Sequence, residues 1–134
     1  MAEKKVIAGA DSHGSGLILV VDDEAPVRDL ARAVLERYGY SVLTAENGQA
    51  AVALFRRNAD TIAAVLLDLT MPVMSGGEAF RLMSEIRPDI PIVISSGYGE
   101  SAVRDQFTSA LAGVIRKPYT VSELREKIAA VLRR

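Results

Sequence analysis

The stretch that most constrains the fold is a run of apolar residues ending in a single carboxylate. Residues 63–67 are Ala, Ala, Val, Leu and Leu, and Asp68 follows them directly. An unbroken apolar run of this length is typical of a strand covered on both faces, as in a parallel sheet. Asp68 then falls at the carboxyl end of the strand, where open α/β sheets bind their ligands. Because an acid here can also simply end a strand, other residues must show whether it has a chemical role.

Four further apolar runs alternate with segments of helical spacing. The predicted strands cover residues 17–21, 40–45, 63–67, 91–95 and 113–116. The predicted helices cover residues 26–38, 48–57, 75–87, 101–109 and 120–134. Strands that alternate with helices in this way predict one α/β domain with a doubly wound, five-stranded parallel sheet.

Local signals support these helices. Asn47 is a predicted N-cap, and residues 75–78 and 120–123 have the spacing of capping boxes. The first and the last helix are each expected to bury one apolar face. The residues on these two faces are Val27, Leu30, Ala31, Val34 and Tyr38 in the first, and Leu124, Ile128 and Val131 in the last.

Composition excludes several classes of site. The 134 residues include no cysteine and only His13, so neither a disulfide nor a histidine- or thiolate-ligated metal site is expected. The net charge of −1 gives no reason to expect nucleic acid or an anionic membrane as a partner. No apolar run is long enough to cross a bilayer, so a cytoplasmic location is expected. Residues 1–16 are predicted to be a flexible leader or linker before the domain at 17–134.

Chemically active side chains collect where the predicted strands end. They are Asp22 and Asp23 after the first strand, Asp68 after the third, Ser95 and Ser96 at the fourth, and Lys117 after the fifth. Three carboxylates in one crevice repel each other unless a cation joins them. Oxygen ligands of this kind suit Mg²⁺, and Lys117 adds a second positive charge. The set is suited to phosphoryl transfer, in which positioning and charge neutralisation dominate.

These residues resemble the response-regulator receiver domain. The motifs that carry the resemblance are Asp22-Asp23, Asp68 with Met71-Pro72 and Ser75-Gly76-Gly77, Ser96-Gly97-Tyr98, and Lys117-Pro118. The resemblance covers roughly residues 16–134. The stretch 67–72 together with Ser96-Gly97-Tyr98 most resembles receivers fused to hybrid sensor histidine kinases. The resemblance implies a CheY-like, flavodoxin-like (βα)5 fold with strand order 2-1-3-4-5.

The resemblance also implies roles. Asp68 would accept a phosphoryl group from a phosphohistidine, and Lys117 would pair with Asp68 and then with the phosphate. Asp22, Asp23, Asp68 and the carbonyl of Thr70 would hold Mg²⁺, with Asp22 acting largely through water. The Lys117–Pro118 peptide bond is expected to be cis.

The resemblance also implies that Ser96 is the switch hydroxyl, which would hydrogen-bond the phosphoryl group and pull its loop inward. Ser96 matches the Ser-Gly-Tyr pattern of the family, whereas the spacing back from Lys117 favours Ser95 and requires a one-residue deletion between residues 99 and 113 to fit Ser96. Thr70 and Tyr98 would flank the path of the hydrolytic water. Many receivers have an aromatic residue three positions before the lysine, where this chain has Val114. The signal is therefore expected to move through residues 96–109 instead.

Together these features predict a phosphoacceptor that dephosphorylates itself but turns over no separate substrate. The implied partner is a histidine kinase or a histidine phosphotransfer domain, and a homodimer is possible. Alternatives are a degenerate receiver used only for binding, or a metal-dependent phosphatase with an aspartyl nucleophile. The phosphatase usually has a second acid two residues after the nucleophile, where this chain has Thr70. A dinucleotide-binding enzyme would need a glycine-rich turn after Val21, which the sequence lacks.

Overall fold

A five-stranded parallel sheet forms the centre of the computed structural model, which describes residues 15–71, 73–107 and 111–133. The strands are β1 (Leu17–Val21), β2 (Ser41–Ala45), β3 (Ile62–Asp68), β4 (Ile92–Ser96) and β5 (Gly113–Arg116). Their order across the sheet is β2-β1-β3-β4-β5, so β3 lies in the middle. The predicted doubly wound fold and its strand order are confirmed.

The register of the sheet brings the carboxyl ends of the strands level with each other. Val21 pairs with Leu67 of β3, and Asp68 pairs with Ser95 of β4. The first residues of the β1–α1 connection therefore lie beside the last residue of β3, and the candidate site residues meet at one edge.

Helices cover both faces of this sheet. They are α1 (Ala25–Arg37), α2 (Gly48–Asn58), α3 (Gly76–Ile86), α4 (Glu100–Arg104) and α5 (Val121–Leu132). Asn47 accepts a hydrogen bond from the backbone of Ala50, and Thr120 and Glu123 form a complete capping box, as predicted. At the start of α3 the Ser75 side chain accepts from the N–H of Glu78, which is one of the two bonds of the predicted box. Each satisfies backbone N–H groups that the first turn of a helix leaves without partners.

Strand β3 is buried on both sides, as its apolar run predicts. Val65 and Leu67 face a core formed with α2, α3 and α4, whereas Ala64 and Leu66 face a second core formed with α1 and α5. A strand with two buried faces cannot alternate apolar and polar residues. This explains why the run is unbroken until Asp68.

Several predicted boundaries and one predicted core residue are wrong. Strand β4 extends to Ser96, one residue further than predicted, because Ser96 still pairs with Arg116 of β5. Leu30 was predicted to face the core but is 49% exposed, and Leu35 is fully buried instead. The buried stripe of α1 consists of Ala31, Val34 and Leu35, and Leu30 lies outside it.

Helix α4 is much shorter than predicted. It ends at Arg104, and Val103 is its one buried residue among those described, so its packing stabilises little more than a single turn. The predicted end at residue 109 lies outside the described residues, as do His13 and most of the predicted leader. Within the described ranges, no helix has the length and apolar character needed to cross a membrane.

Candidate functional site

Three carboxylates meet at the carboxyl edge of the sheet. Asp68 is the last residue of β3 and is 4% exposed, and Asp22 follows β1 directly and is 2% exposed. Asp23 is exposed to solvent. One carboxylate oxygen from each of the three residues lies within 4.8 Å of the other two. The sequence predicted this cluster because it placed each acid at the end of a central strand.

Lys117 lies between the two buried acids. Its Nζ is 3.0 Å from Oδ2 of Asp22 and 3.4 Å from Oδ1 of Asp68. Burial acts to lower the pKa of Lys117, but the hydrogen bonds and negative charges of these two acids outweigh it and raise the pKa overall. Lys117 therefore carries a positive charge in the site, as predicted.

The backbone around Lys117 fixes its position. Its N–H donates to the carbonyl oxygen of Ser96 at 2.7 Å, which continues the pairing between β4 and β5. The Lys117–Pro118 peptide bond is cis, as predicted.

Crowding of negative charge changes the acidity of Asp68. Burial and the charge of Asp22 raise the pKa of Asp68 from its usual 3.8 to about 7, although Lys117 acts in the opposite direction. The site thus contains more negative charge than Lys117 alone offsets. A small divalent cation with oxygen ligands would relieve this excess, so the three carboxylates fit the predicted metal chemistry.

Both candidate switch serines lie at the carboxyl end of β4, and both are buried. Ser95 pairs across the sheet with Asp68, while the Oγ of Ser96 accepts a hydrogen bond from the N–H of Tyr98 at 3.0 Å. Their side chains leave opposite faces of β4 because strand residues alternate. The Ser96 hydroxyl is bonded to the loop after β4, and Ser95 is the residue of β4 that lies next to Asp68 in the sheet.

The loop after β3 carries the fourth predicted ligand. Thr70 is exposed, and its N–H lies 3.4 Å from Oδ1 of Asp68. Gly76 closes this loop: its N–H donates to the carbonyl of Leu69 at 2.9 Å. A Cβ on Gly76 would collide with the carbonyl oxygen of Asp68 and would lie 2.7 Å from Cα of Leu69. Gly76 therefore lets α3 begin directly against the backbone of Asp68.

Comparison with known proteins identifies the family of this chain. The family model of the response regulator receiver domain matches residues 18–129. The chain belongs to this family.

Its relatives include both transcriptional regulators and sensor kinases. The probable transcriptional regulator ycf27 of Porphyra purpurea is 38% identical over 122 residues, which cover 87% of this chain and 47% of that protein. The sensor kinase CckA of Brucella abortus is 32% identical over 131 residues, or 97% of this chain and 14% of the kinase. A receiver-domain crystal structure from Clostridium thermocellum has a TM-score of 0.81 and 27% identity, and the match covers 88% of this chain and 94% of that chain. The chain spans about half the length of the first relative and far less of the kinase.

The receiver domain also has a site neighbour that sequence reasoning missed. Tyr119 lies two residues beyond Lys117, and both residues line one groove at the carboxyl edge of the sheet. Burial, together with the charges of Asp22 and Asp68, raises the pKa of Tyr119 to about 12. Its position directly after Lys117-Pro118, at the same edge of the sheet, could have predicted from the sequence that Tyr119 lies next to the site.

Val114 is part of the receiver core. It is 5% exposed and packs with the residues under α2, α3 and α4. Val114 thus fills a core position where many receivers have an aromatic ring.

Proposed function

We propose that this receiver domain is a phosphoacceptor in a two-component phosphorelay. Asp68 takes a phosphoryl group from a phosphohistidine on a histidine kinase or a histidine phosphotransfer domain. The observation that carries this proposal is the position of Asp68 beside two further carboxylates and the Lys117 ammonium group. A buried carboxylate next to a cation and a predicted metal site has the parts that phosphoryl transfer needs.

The transfer exchanges one bond to phosphorus for another. An oxygen of the Asp68 carboxylate bonds to phosphorus as the P–N bond breaks, and that bond's electron pair stays on the imidazole nitrogen. Asp22, Asp23, Asp68 and the Thr70 carbonyl would hold Mg²⁺, which supplies positive charge to the transferring oxygens. Lys117 then has a phosphate oxygen to pair with in place of the Asp68 carboxylate. Hydrolysis of the acyl phosphate returns the domain to its starting state, with no other substrate converted.

The surface around the site supports a protein as the phosphoryl donor. The large apolar side chains that are exposed in the described part of the chain are Leu30, Val73, Tyr98 and Val121. Each belongs to a connection after a strand or to the first half of a helix at the carboxyl edge of the sheet. Beside them is a groove with a mostly apolar lining, which consists of Glu24, Pro26, Val27, Leu30, Gly97, Lys117, Pro118 and Tyr119. Apolar side chains around a charged crevice are suited to docking a partner that brings its histidine to Asp68.

The relatives of this chain favour one output of the proposed phosphorelay. Because the family includes sensor kinases such as CckA, regulation of a fused or partner kinase in the cytoplasm is the output we favour. A receiver that only binds a partner would keep the fold but would not be phosphorylated.

Phosphorylation by acetyl phosphate tests the proposal directly. With Mg²⁺ present, intact-mass measurement should show one added phosphoryl group, and EDTA should prevent it. Asp68→Asn should abolish the mass gain, whereas Asp60→Asn, at an exposed acid remote from the site, should leave it unchanged. Absence of labelling in the unmodified chain would favour the binding-only receiver, and labelling of Asp68→Asn would place the acceptor elsewhere.

A further inference from the structure

Arg28 makes a contact that the proposed chemistry does not yet use. It is the fourth residue of α1 and is half-buried. Its Nη1 donates to the carbonyl oxygen of Asp22 at 2.7 Å. The bond connects a helix to the end of β1. Sequence reasoning missed it, since a positive residue six positions after Asp22 is ordinary on a helix surface.

The other polar atoms of Asp22 are bonded as well. Its N–H donates to the carbonyl of Ala45 at 3.2 Å, and its Oδ1 accepts from the N–H of Glu24 at 2.9 Å. Its Oδ2 faces Lys117. The bond from Arg28 completes this set by fixing the carbonyl group, so both the side chain and the backbone of Asp22 are held.

The carbonyl of Asp22 belongs to the same peptide unit as the N–H of Asp23. Because a peptide unit is planar, a hydrogen bond that holds its oxygen also holds the orientation of the whole peptide plane that leads into Asp23. Asp23 follows the end of β1 and is exposed, so burial does not hold its carboxylate. The bond from Arg28 therefore limits the directions in which Asp23 can point.

We infer that Arg28 is a positioning residue that aims the Asp23 carboxylate at Asp68 and so sets the affinity of the acid cluster for a divalent cation. The inference rests on the proposed function, in which Asp23 is a metal ligand. Groups that orient a metal ligand without touching the metal typically change affinity by about 10- to 100-fold when they are removed. The planar guanidinium can hold a carbonyl in a defined direction, which a lysine ammonium does less well.

Magnesium titration of the full chain, followed by backbone amide NMR, tests the inference without any phosphorylation. Arg28→Ala should weaken Mg²⁺ binding about tenfold, and Arg28→Lys should recover part of that loss. Arg32→Ala is the matched control, because Arg32 lies one turn further along α1 and pairs with Glu36 on the surface. It should bind Mg²⁺ as the unmodified chain does. Urea unfolding should show that each variant is folded under the titration conditions, and Arg28→Gln replaces the alanine variant if that one is unfolded.

A double-mutant comparison shows whether Arg28 acts through Asp23. In an Asp23→Ala background, adding Arg28→Ala should cause little further loss of affinity, since the side chain to be positioned is gone. A full additional tenfold loss would overturn the inference and indicate a direct charge effect. If the unmodified chain does not bind Mg²⁺, the proposed function fails. If it binds and Arg28→Ala binds equally well, the inference alone fails.

Discussion

Lys117 lies closer to Asp22 than to Asp68, with Nζ–O distances of 3.0 and 3.4 Å. The family resemblance predicted a pair with Asp68, and the structure shows that the same ammonium group serves both buried acids. Lys117 therefore neutralises part of the charge of the cluster before any phosphoryl group arrives. When Asp68 is modified, Lys117 can keep its contact with Asp22 while it turns to a phosphate oxygen.

Asp23 and Glu24 provide a matched test of the metal site. Both are exposed acids in the β1–α1 connection, but only Asp23 has a carboxylate oxygen in the cluster. Asp23→Ala should weaken Mg²⁺ binding by about tenfold or more because it removes a direct ligand, and Glu24→Ala by less than about twofold. Calorimetric titration of the two variants measures the difference. Equal losses would mean that the acids are wrongly assigned.

Asp68 should make the metal-free domain less stable as the pH rises. Its folded-state pKa of about 7 exceeds its usual value of 3.8, so the folded state holds this proton more tightly than the unfolded state. The stabilisation from the bound proton is complete below about pH 4 and is lost as the pH rises to about 7. Asp68→Asn cannot ionise, so in EDTA it should be more stable than the unmodified chain at pH 8, by about 2 kcal/mol.

Urea unfolding at several pH values measures this effect. The advantage of Asp68→Asn should shrink steadily between pH 7 and pH 4, whereas Asp60→Asn should differ from the unmodified chain by less than about 0.5 kcal/mol at each pH. A pH-independent advantage would show that the charge of Asp68 is not its cause.

Gly76 and Gly77 are neighbours with different surroundings. A Cβ at position 76 would collide with the backbone of Asp68 and Leu69, while one at position 77 would have its nearest neighbour, Oγ of Ser75, at 3.9 Å. Gly76→Ala should destabilise the domain by about 2 kcal/mol, since the backbone must shift to make room. Gly77→Ala should be neutral or stabilising by up to about 1 kcal/mol because alanine favours the helix. Chemical denaturation of both variants checks the contrast, and equal effects would contradict the close approach.

Tyr98 should control how long the aspartyl phosphate lasts. Its side chain is 63% exposed in the loop after β4, and its N–H is bonded to Ser96. Phe107 instead packs edge-on against Phe80 of α3, with ring centroids 4.9 Å apart. We expect slow hydrolysis that becomes several-fold faster in Tyr98→Ala, because a bulky shield against water is lost. Decay of the phosphorylated mass over time gives the rate, and a larger change in Phe107→Ala would favour Ser95 as the switch hydroxyl.

The response to phosphorylation should bypass Val114. A buried valine is stiff at χ1 and cannot swing inward as an aromatic ring does. Addition of a beryllofluoride phosphoryl mimic should therefore shift NMR signals mainly in residues 96–107, around the short helix α4. The same shifts should persist in Val114→Ala. Their loss in a variant that remains folded would show that Val114 is part of the switch.

The sequence by itself determined the fold and the members of the acid cluster. The apolar run before Asp68 identified a central strand, and the order of strands and helices then brought Asp22, Asp23 and Lys117 to the same edge. These features are local or follow from topology, so periodicity and strand ends are enough to find them.

Tertiary packing decided the rest. It placed Leu30 at the surface and Leu35 in the core, extended β4 to Ser96, and ended α4 at Arg104. It also directed Lys117 to two acids and Arg28 to the carbonyl of Asp22. Each of these depends on which neighbour fills a given space or satisfies a given polar atom, and residues far apart in sequence supply those neighbours. Helical or strand periodicity carries no information about such partners, so the three-dimensional structure was needed to identify them.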